Sequence, residues 1–194
     1  MTQAAAAAFL MLVLLFGGPW VTVQSTGAPE PQPARTAQEQ TDAPGADESS
    51  VLRVWNGTET VEMTMAAYLP GVVRGEMPAT FEEEALKAQA VAERTYIYYH
   101  LQRGGKANHP DADVCMDHTC CNAWTGAEQA AQKWGEQAEA YEAKIQEAVR
   151  ATDGQVMLYN GQLILAAFHS SSDGVTASCR DVWVQDLPYL ASVA

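Results

Sequence analysis

The spacing of apolar positions changes character along this chain, and each change marks an element. From Ala4 to Val23 the residues are apolar apart from Thr22. That is about twenty positions, the length that crosses a bilayer's hydrocarbon core. No Lys or Arg precedes the run and no small-x-small cleavage site comes after it. It reads as an uncleaved membrane anchor, with a cleaved signal peptide as the alternative. Either one carries the rest of the chain out of the cytoplasm. The next stretch, QSTGAPEPQPARTAQEQTDAPGADESS, has no apolar period and is rich in Pro, Gly, Ala, Ser and acids, the composition of an unstructured spacer. The expected organisation is an anchor over 1–23, a disordered linker over 24–50 and one folded domain over 51–194.

Within the domain, VLRVWNGTETVEM is an apolar run, an Asn-Gly pair and an alternating run, which predicts a hairpin turning at Asn56-Gly57. Pro70 predicts a helix start, and Val72, Val73 and Glu76 then share a face. TFEEEALKAQAVAERTYIYYHLQRGG is the clearest helix, with Thr80 as N-cap, Glu83 closing a capping box and Gly104-Gly105 ending it. Ala85, Ala88, Ala92, Tyr96 and Tyr99 form its expected inner face, widened by Leu86, Ala90 and Ile97. Gln89 falls in the apolar sector and needs partners there. A further helical stretch is interrupted at Gly135 and ends at Gly154, and Asn160-Gly161 predicts a second hairpin. The remainder reads as loop. The fold class is therefore α+β: a buried central helix, two β-hairpins and a clasped loop.

Charge narrows the partners. The net charge is −13 and the pI near 4.5, so phosphate backbones and anionic headgroups are repelled. Cysteine placement is more informative. NHPDADVCMDHTCC carries His109, His118 and three of the four cysteines. Outside the cytoplasm a disulfide from Cys115 to Cys179, Cys120 or Cys121 is one reading, although a bridge between adjacent Cys120 and Cys121 is strained. The other is zinc on His109, Cys115, Cys120 and Cys121, with His118 able to replace one of them. Spacing alone leaves both open.

YLPGVVRGEMPATFEEEALKAQAVAERTY, CMDHTCCNAW and AFHSSSDGVTASCRDVW…PYLASV together resemble the stage II sporulation protein D family over nearly all of Val51 to Val193. The resemblance implies a membrane-anchored lytic transglycosylase of endospore formers. Such an enzyme cuts peptidoglycan glycan strands during forespore engulfment, alongside a cell-wall amidase that first strips the stem peptides. It implies Glu76 of the GEMP motif as catalytic acid and a structural zinc on His109, Cys115, Cys120 and Cys121. It also implies Lys87, Gln89, Arg94 and Tyr189 as substrate contacts, and Ser170 and Ser172 are read as sugar contacts beside them. The chain departs from the family pattern at Asp173, where a glycine is usual, and at Thr176-Ala177. Family members usually continue about a hundred residues past the PYL motif, so a fragment or an incomplete copy is expected.

The chemistry suits one carboxyl group. In a transglycosylase the C6 hydroxyl of N-acetylmuramic acid attacks its own anomeric carbon, so a single Glu acts as acid and then base. A hydrolytic glycosidase ordinarily needs two. The bland alternatives are a surface Glu before a turn for Glu76, helix-start electrostatics for Glu82, Glu83 and Glu84, and surface ion pairs for Glu93, Lys87 and Arg94. A structural hydrogen bond is the bland reading of Gln89. His169 and Ser170–Ser172 lack a G-x-S-x-G elbow, which excludes a serine triad. Two other functions compete: a non-catalytic glycan-binding module that stimulates an amidase, and a zinc hydrolase. Four protein ligands would leave that last enzyme no open position for water.

Overall fold

The computed structural model describes residues 45–105, 108–109, 111–183 and 185–194. The expected anchor and most of the expected linker lie outside the described residues. Among the described residues no helix is long and apolar enough to cross a membrane.

The domain begins earlier than the apolar pattern indicates. A short helix α1 (Ala46–Ser49) precedes strand β1 (Val51–Trp55) and is tied to the core. The backbone N–H groups of Ala46 and Asp47 donate to the two carboxylate oxygens of Asp153, each at 2.8 Å. Residues 46–49, expected within the linker, are thus helical, and Asp47 has a buried partner in Arg94.

Strand β1 pairs antiparallel with β2 (Thr60–Thr64) as the expected hairpin. Its loop has four residues and only Gly57 takes a positive φ; Asn56 instead accepts the N–H groups of Thr58 and Glu59 on its side chain. Helix α2 (Met65–Glu76) comes next without a break. Thr64 is its N-cap, accepting from Ala67 N at 3.2 Å, so Pro70 lies inside the helix and not at its start. The cap precedes Pro70 by more than a turn, and the ring costs one intrahelical bond.

Helix α3 (Glu83–Leu101) is the central helix, but its start and its inner face differ from the expectation. Glu82 is the N-cap and makes no side-chain cap bond; Phe81 N donates to Pro78 O in the turn before it, so the Thr80 capping box does not form. The buried face runs through Leu86, Gln89, Ala90, Glu93, Arg94 and Ile97, while Ala88 is exposed. The alanine stripe is the wrong one, because it leaves Glu93 and Arg94 facing water. Gly104 (φ 86°) and Gly105 (φ 79°) stop the helix as expected.

Strand β3 (Val114–Cys115) joins the other edge of β1 in parallel, with Val54 opposite Val114 and Trp55 opposite Cys115, giving a sheet of order β2–β1–β3. Helices α4 (Ala127–Trp134) and α5 (Ala138–Ala151) meet at a turn whose Gly135 has φ 56°. Strands β4 (Leu158–Tyr159) and β5 (Gln162–Leu163) form the second hairpin, with Asn160 and Gly161 both at positive φ as expected of a two-residue turn. A short helix α6 (Cys179–Val182) lies in the last segment. The core joins β1 (Leu52, Val54), α2 (Leu69, Val72, Val73), α3 (Leu86, Ile97) and α5 (Ile145, Val149). Each such side chain, fully buried, contributes roughly 1.5–3 kcal/mol.

Candidate active site and metal centre

Glu76 is the last residue of α2, and the site forms where a loop lies against that helix. Gly71 and Gly75 stand one turn apart on α2 and leave a groove. A Cβ on Gly75 would stand 2.4 Å from Ala123 O, and one on Gly71 would stand 2.0 Å from Trp124 Nε1. Only glycine at both positions lets the 122–125 segment lie this close. That segment is pinned along the groove: Thr125 N donates to Gly71 O at 2.9 Å and Trp124 Nε1 to Tyr68 O at 3.2 Å. Arg74 donates from Nε to Thr125 O at 2.9 Å and pairs through Nη1 with Glu142 at 2.7 Å.

Within this seat the Ala123 N–H donates to Glu76 Oε1 at 2.5 Å. The side chain of the preceding residue, Asn122, donates through Nδ2 to Glu93 Oε2. Gln89 Nε2 donates to the other Glu93 oxygen at 2.7 Å. Glu93 is 0 % exposed, so the expected surface ion pair is wrong. Burial pushes its carboxyl up to about 8, opposed by the Gln89 bond and reinforced by the charge of Glu76. Glu76, by contrast, is half-buried and reachable. Two carboxyl groups from two helices thus hold consecutive residues of one loop.

The same loop begins at the cysteine cluster. The ligand atoms of His109, Cys115 and Cys120 all lie within 4.8 Å of one another. Cys115 is fixed by the β1–β3 pairing and by the Tyr68 hydroxyl, which donates to Cys115 O at 2.8 Å. Asp117 O accepts from the N–H groups of Cys120 and Cys121, the turn that brings Cys120 back to Cys115. The Trp55 ring stacks on His109, centroids 5.9 Å apart and planes at 21°. Cys121 is not part of this trio, although its Sγ lies 3.9 Å from that of Cys120. His118 is exposed, beside Asp117, and also stands apart. Among the described residues no disulfide joins the four cysteines, and Cys179 is elsewhere, its Sγ accepting from Leu187 N at 3.0 Å. Burial pushes the Cys115 thiol up and the Cys121 thiol up to about 12.

The expected substrate contacts separate into groups. Arg94 is fully buried: its guanidinium pairs with Asp47 and donates to Val149 O and Gln155 O. It has no free face for a glycan, and the expected contact is replaced by a structural one. Gln89 is buried and serves Glu93. Lys87 pairs with Glu83 at 2.8 Å and Glu84 at 2.9 Å on the helix surface. Ser172 and Tyr189 line a cleft of about 590 Å³ in the last segment, with Phe168, Val182 and Trp183; Ser170 and Glu76 are not in its lining. The Tyr189 hydroxyl accepts from Leu165 N at 3.2 Å.

Asp47, Gly71, Gly75, Asn122 and Ala123 do not emerge from the sequence pattern. The one signal it holds for them is the pair Gly71 and Gly75 four residues apart in an otherwise apolar helix, which marks close backbone approach.

The sequence model of the family described as stage II sporulation protein (SpoIID) matches residues 56–159. The chain belongs to that family. It is 38% identical over 126 residues to stage II sporulation protein D of Bacillus subtilis (strain 168), covering 65% of this chain and 37% of that protein. It is 37% identical over 127 residues to stage II sporulation protein D of Bacillus amyloliquefaciens, again covering 65% and 37%. It is also 37% identical over 122 residues to the amidase enhancer of B. subtilis, covering 63% of this chain and 14% of that one. The chain thus spans well under half the length of these relatives. The SpoIID match takes in Glu76, Glu93, Asn122 and the His/Cys trio and ends at Tyr159, before Ser170, Ser172 and Tyr189.

Proposed function

We propose that this SpoIID domain is a peptidoglycan lytic transglycosylase acting on peptide-free glycan strands during forespore engulfment, with Glu76 as its acid and base. The observation that carries the reading is the Ala123 N–H bond to Glu76, which holds a half-buried carboxyl in one place beside a buried second one. Protonated Glu76 gives its proton to the glycosidic oxygen as the bond to the anomeric carbon breaks. The C6 hydroxyl of the same N-acetylmuramic residue closes on that carbon, and the Glu76 carboxylate takes the hydroxyl's proton. The product ends in a 1,6-anhydro ring and no water is consumed. Lys87, Ser170, Ser172 and Tyr189 remain the proposed glycan contacts.

The His109, Cys115 and Cys120 donors suit zinc, and Cys121 is the fourth ligand that the family resemblance supplies. Zinc there would be structural, clasping β3 to the loop that continues into Asn122 and Ala123. Residues 1–23 are proposed to anchor the domain at the cell membrane, facing outward, and a cell-wall amidase is the proposed partner.

Incubation with purified peptide-free glycan strands tests the activity, which requires release of anhydromuramyl ends. A second reading, a non-catalytic glycan-binding module that stimulates an amidase, is favoured by the 37% identity to the amidase enhancer. It predicts glycan binding and faster amidase turnover with no anhydromuramyl product.

A further inference from the structure

We propose that Glu93 is a positioning residue for Glu76, acting through Asn122 and the Ala123 amide. The inference rests on the reading of Glu76 as the catalytic acid. The path is short and continuous. Glu93 is clamped from both sides, by Gln89 Nε2 on one oxygen and Asn122 Nδ2 on the other. Asn122 is covalently joined to Ala123, whose N–H holds Glu76 Oε1. Glu93 therefore sets where the Asn122 end of the loop sits, and the loop sets where the Glu76 carboxyl points.

Three observations favour this over a passive buried acid. First, a carboxyl with no exposed surface, facing another acid, is costly to keep where an amide or an apolar side chain would fill the space. Its retention needs an interaction of its own. Second, the other end of the loop is already fixed by Thr125 N on Gly71 O, Trp124 Nε1 on Tyr68 O and Arg74 on Thr125 O. The contact at the Asn122 end completes the restraint on Ala123. Third, Glu93 and Glu76 come from different helices, α3 and α2, and each accepts from a consecutive residue of the same loop, Glu93 from Asn122 and Glu76 from Ala123. Glu93 touches no substrate in this scheme, because it is sealed from solvent.

The test monitors the Ala123 amide by NMR in the 15N-labelled chain, together with turnover on glycan strands. In the wild type this amide should resonate downfield as a hydrogen-bonded N–H, and Glu76→Ala should move it towards the unbonded range. Asn122→Ala should move it the same way, with the rest of the spectrum intact. Turnover should fall about a hundredfold, the loss typical of a misplaced catalytic group, while glycan affinity stays within about twofold. Glu93→Ala should behave alike, and the Glu93→Ala/Asn122→Ala double variant should be no worse than either single one, as expected for residues acting as a unit. Glu93→Gln keeps an acceptor for Asn122 and should restore turnover to within about tenfold of wild type. If Glu93→Ala fails to fold, Asn122→Ala and Glu93→Gln carry the test. A folded Asn122→Ala chain whose Ala123 amide keeps its wild-type resonance overturns the proposal. A wild-type chain that releases no anhydromuramyl product overturns the activity instead, and the amide resonance still decides whether Glu93 positions Glu76.

Discussion

Arg94 and Asp47 form a buried ion pair, Nη2 to Oδ2 at 2.6 Å, between the central helix and the short helix that opens the domain. Both side chains are almost wholly removed from water, and the guanidinium is further satisfied by Val149 O and Gln155 O. Removing one member leaves the other charged and unpaired in the core, which costs about 3–5 kcal/mol. Asp47→Ala should therefore lower unfolding free energy by that order in urea titrations, as should deletion of residues 1–47. Arg94→Lys should also destabilise, since an ammonium cannot reproduce the forked contact. Loss of glycan cleavage in these variants should track loss of fold; an Arg94→Lys chain of unchanged stability and lost activity would return Arg94 to the glycan-binding set.

For Glu76 the decisive change is Glu76→Gln, which keeps the shape and an acceptor for the Ala123 N–H but removes the transferable proton. Glycan cleavage should fall at least about a hundredfold, with binding retained. The melting temperature should be little changed, because the amide oxygen of Gln still accepts the Ala123 N–H in a half-buried place. Full activity in this variant would send the search for the acid elsewhere.

Glu93 gives the domain a pH signature. Its folded value, near 8, exceeds the ordinary 4.5, so between those values the folded chain binds more protons than the unfolded one. The contribution of Glu93 to stability is therefore greatest below about 4.5, declines as pH rises towards 8 and is flat above. The steepest slope is about 1.4 kcal/mol per pH unit. The measurement is the difference in unfolding free energy between wild type and Glu93→Gln across that range. A difference that does not change with pH would contradict the raised value of the buried carboxyl.

Elemental analysis of the purified chain should find one zinc per molecule. Chelation, or Cys115→Ser, should lower stability measurably in thermal melts, because binding energy at such a site is folding energy. Cys179→Ser should leave the metal content unchanged, since Cys179 is engaged with Leu187 away from the trio. A metal-free chain in which two of these cysteines no longer titrate as thiols would instead establish a disulfide.

The sequence by itself determined the elements whose cause is local. Asn160-Gly161 turns a hairpin because both residues tolerate positive φ, and Gly104-Gly105 stops α3 for the same reason. The 3.6 period made α3 a central helix whichever stripe faced inward. The spacing of His109, Cys115 and Cys120 marks a metal or disulfide loop without any tertiary structure, and the GEMP motif singles out Glu76. Tertiary structure decided the rest, because the causes lie far apart in the chain. Glu93 and Arg94 look like surface charges on α3 until Asn122, 29 residues on, and Asp47, 47 residues back, arrive to pair with them. No local pattern reveals that a charged residue has a buried partner. Pro70 stays inside a helix because the Thr64 cap and the packing of Leu69, Val72 and Val73 outweigh one missing hydrogen bond. Gly71 and Gly75 gain their meaning only once the 122–125 segment lies across them. That contact between a helix and a loop is what turns Glu76 from a residue before a turn into a held carboxyl.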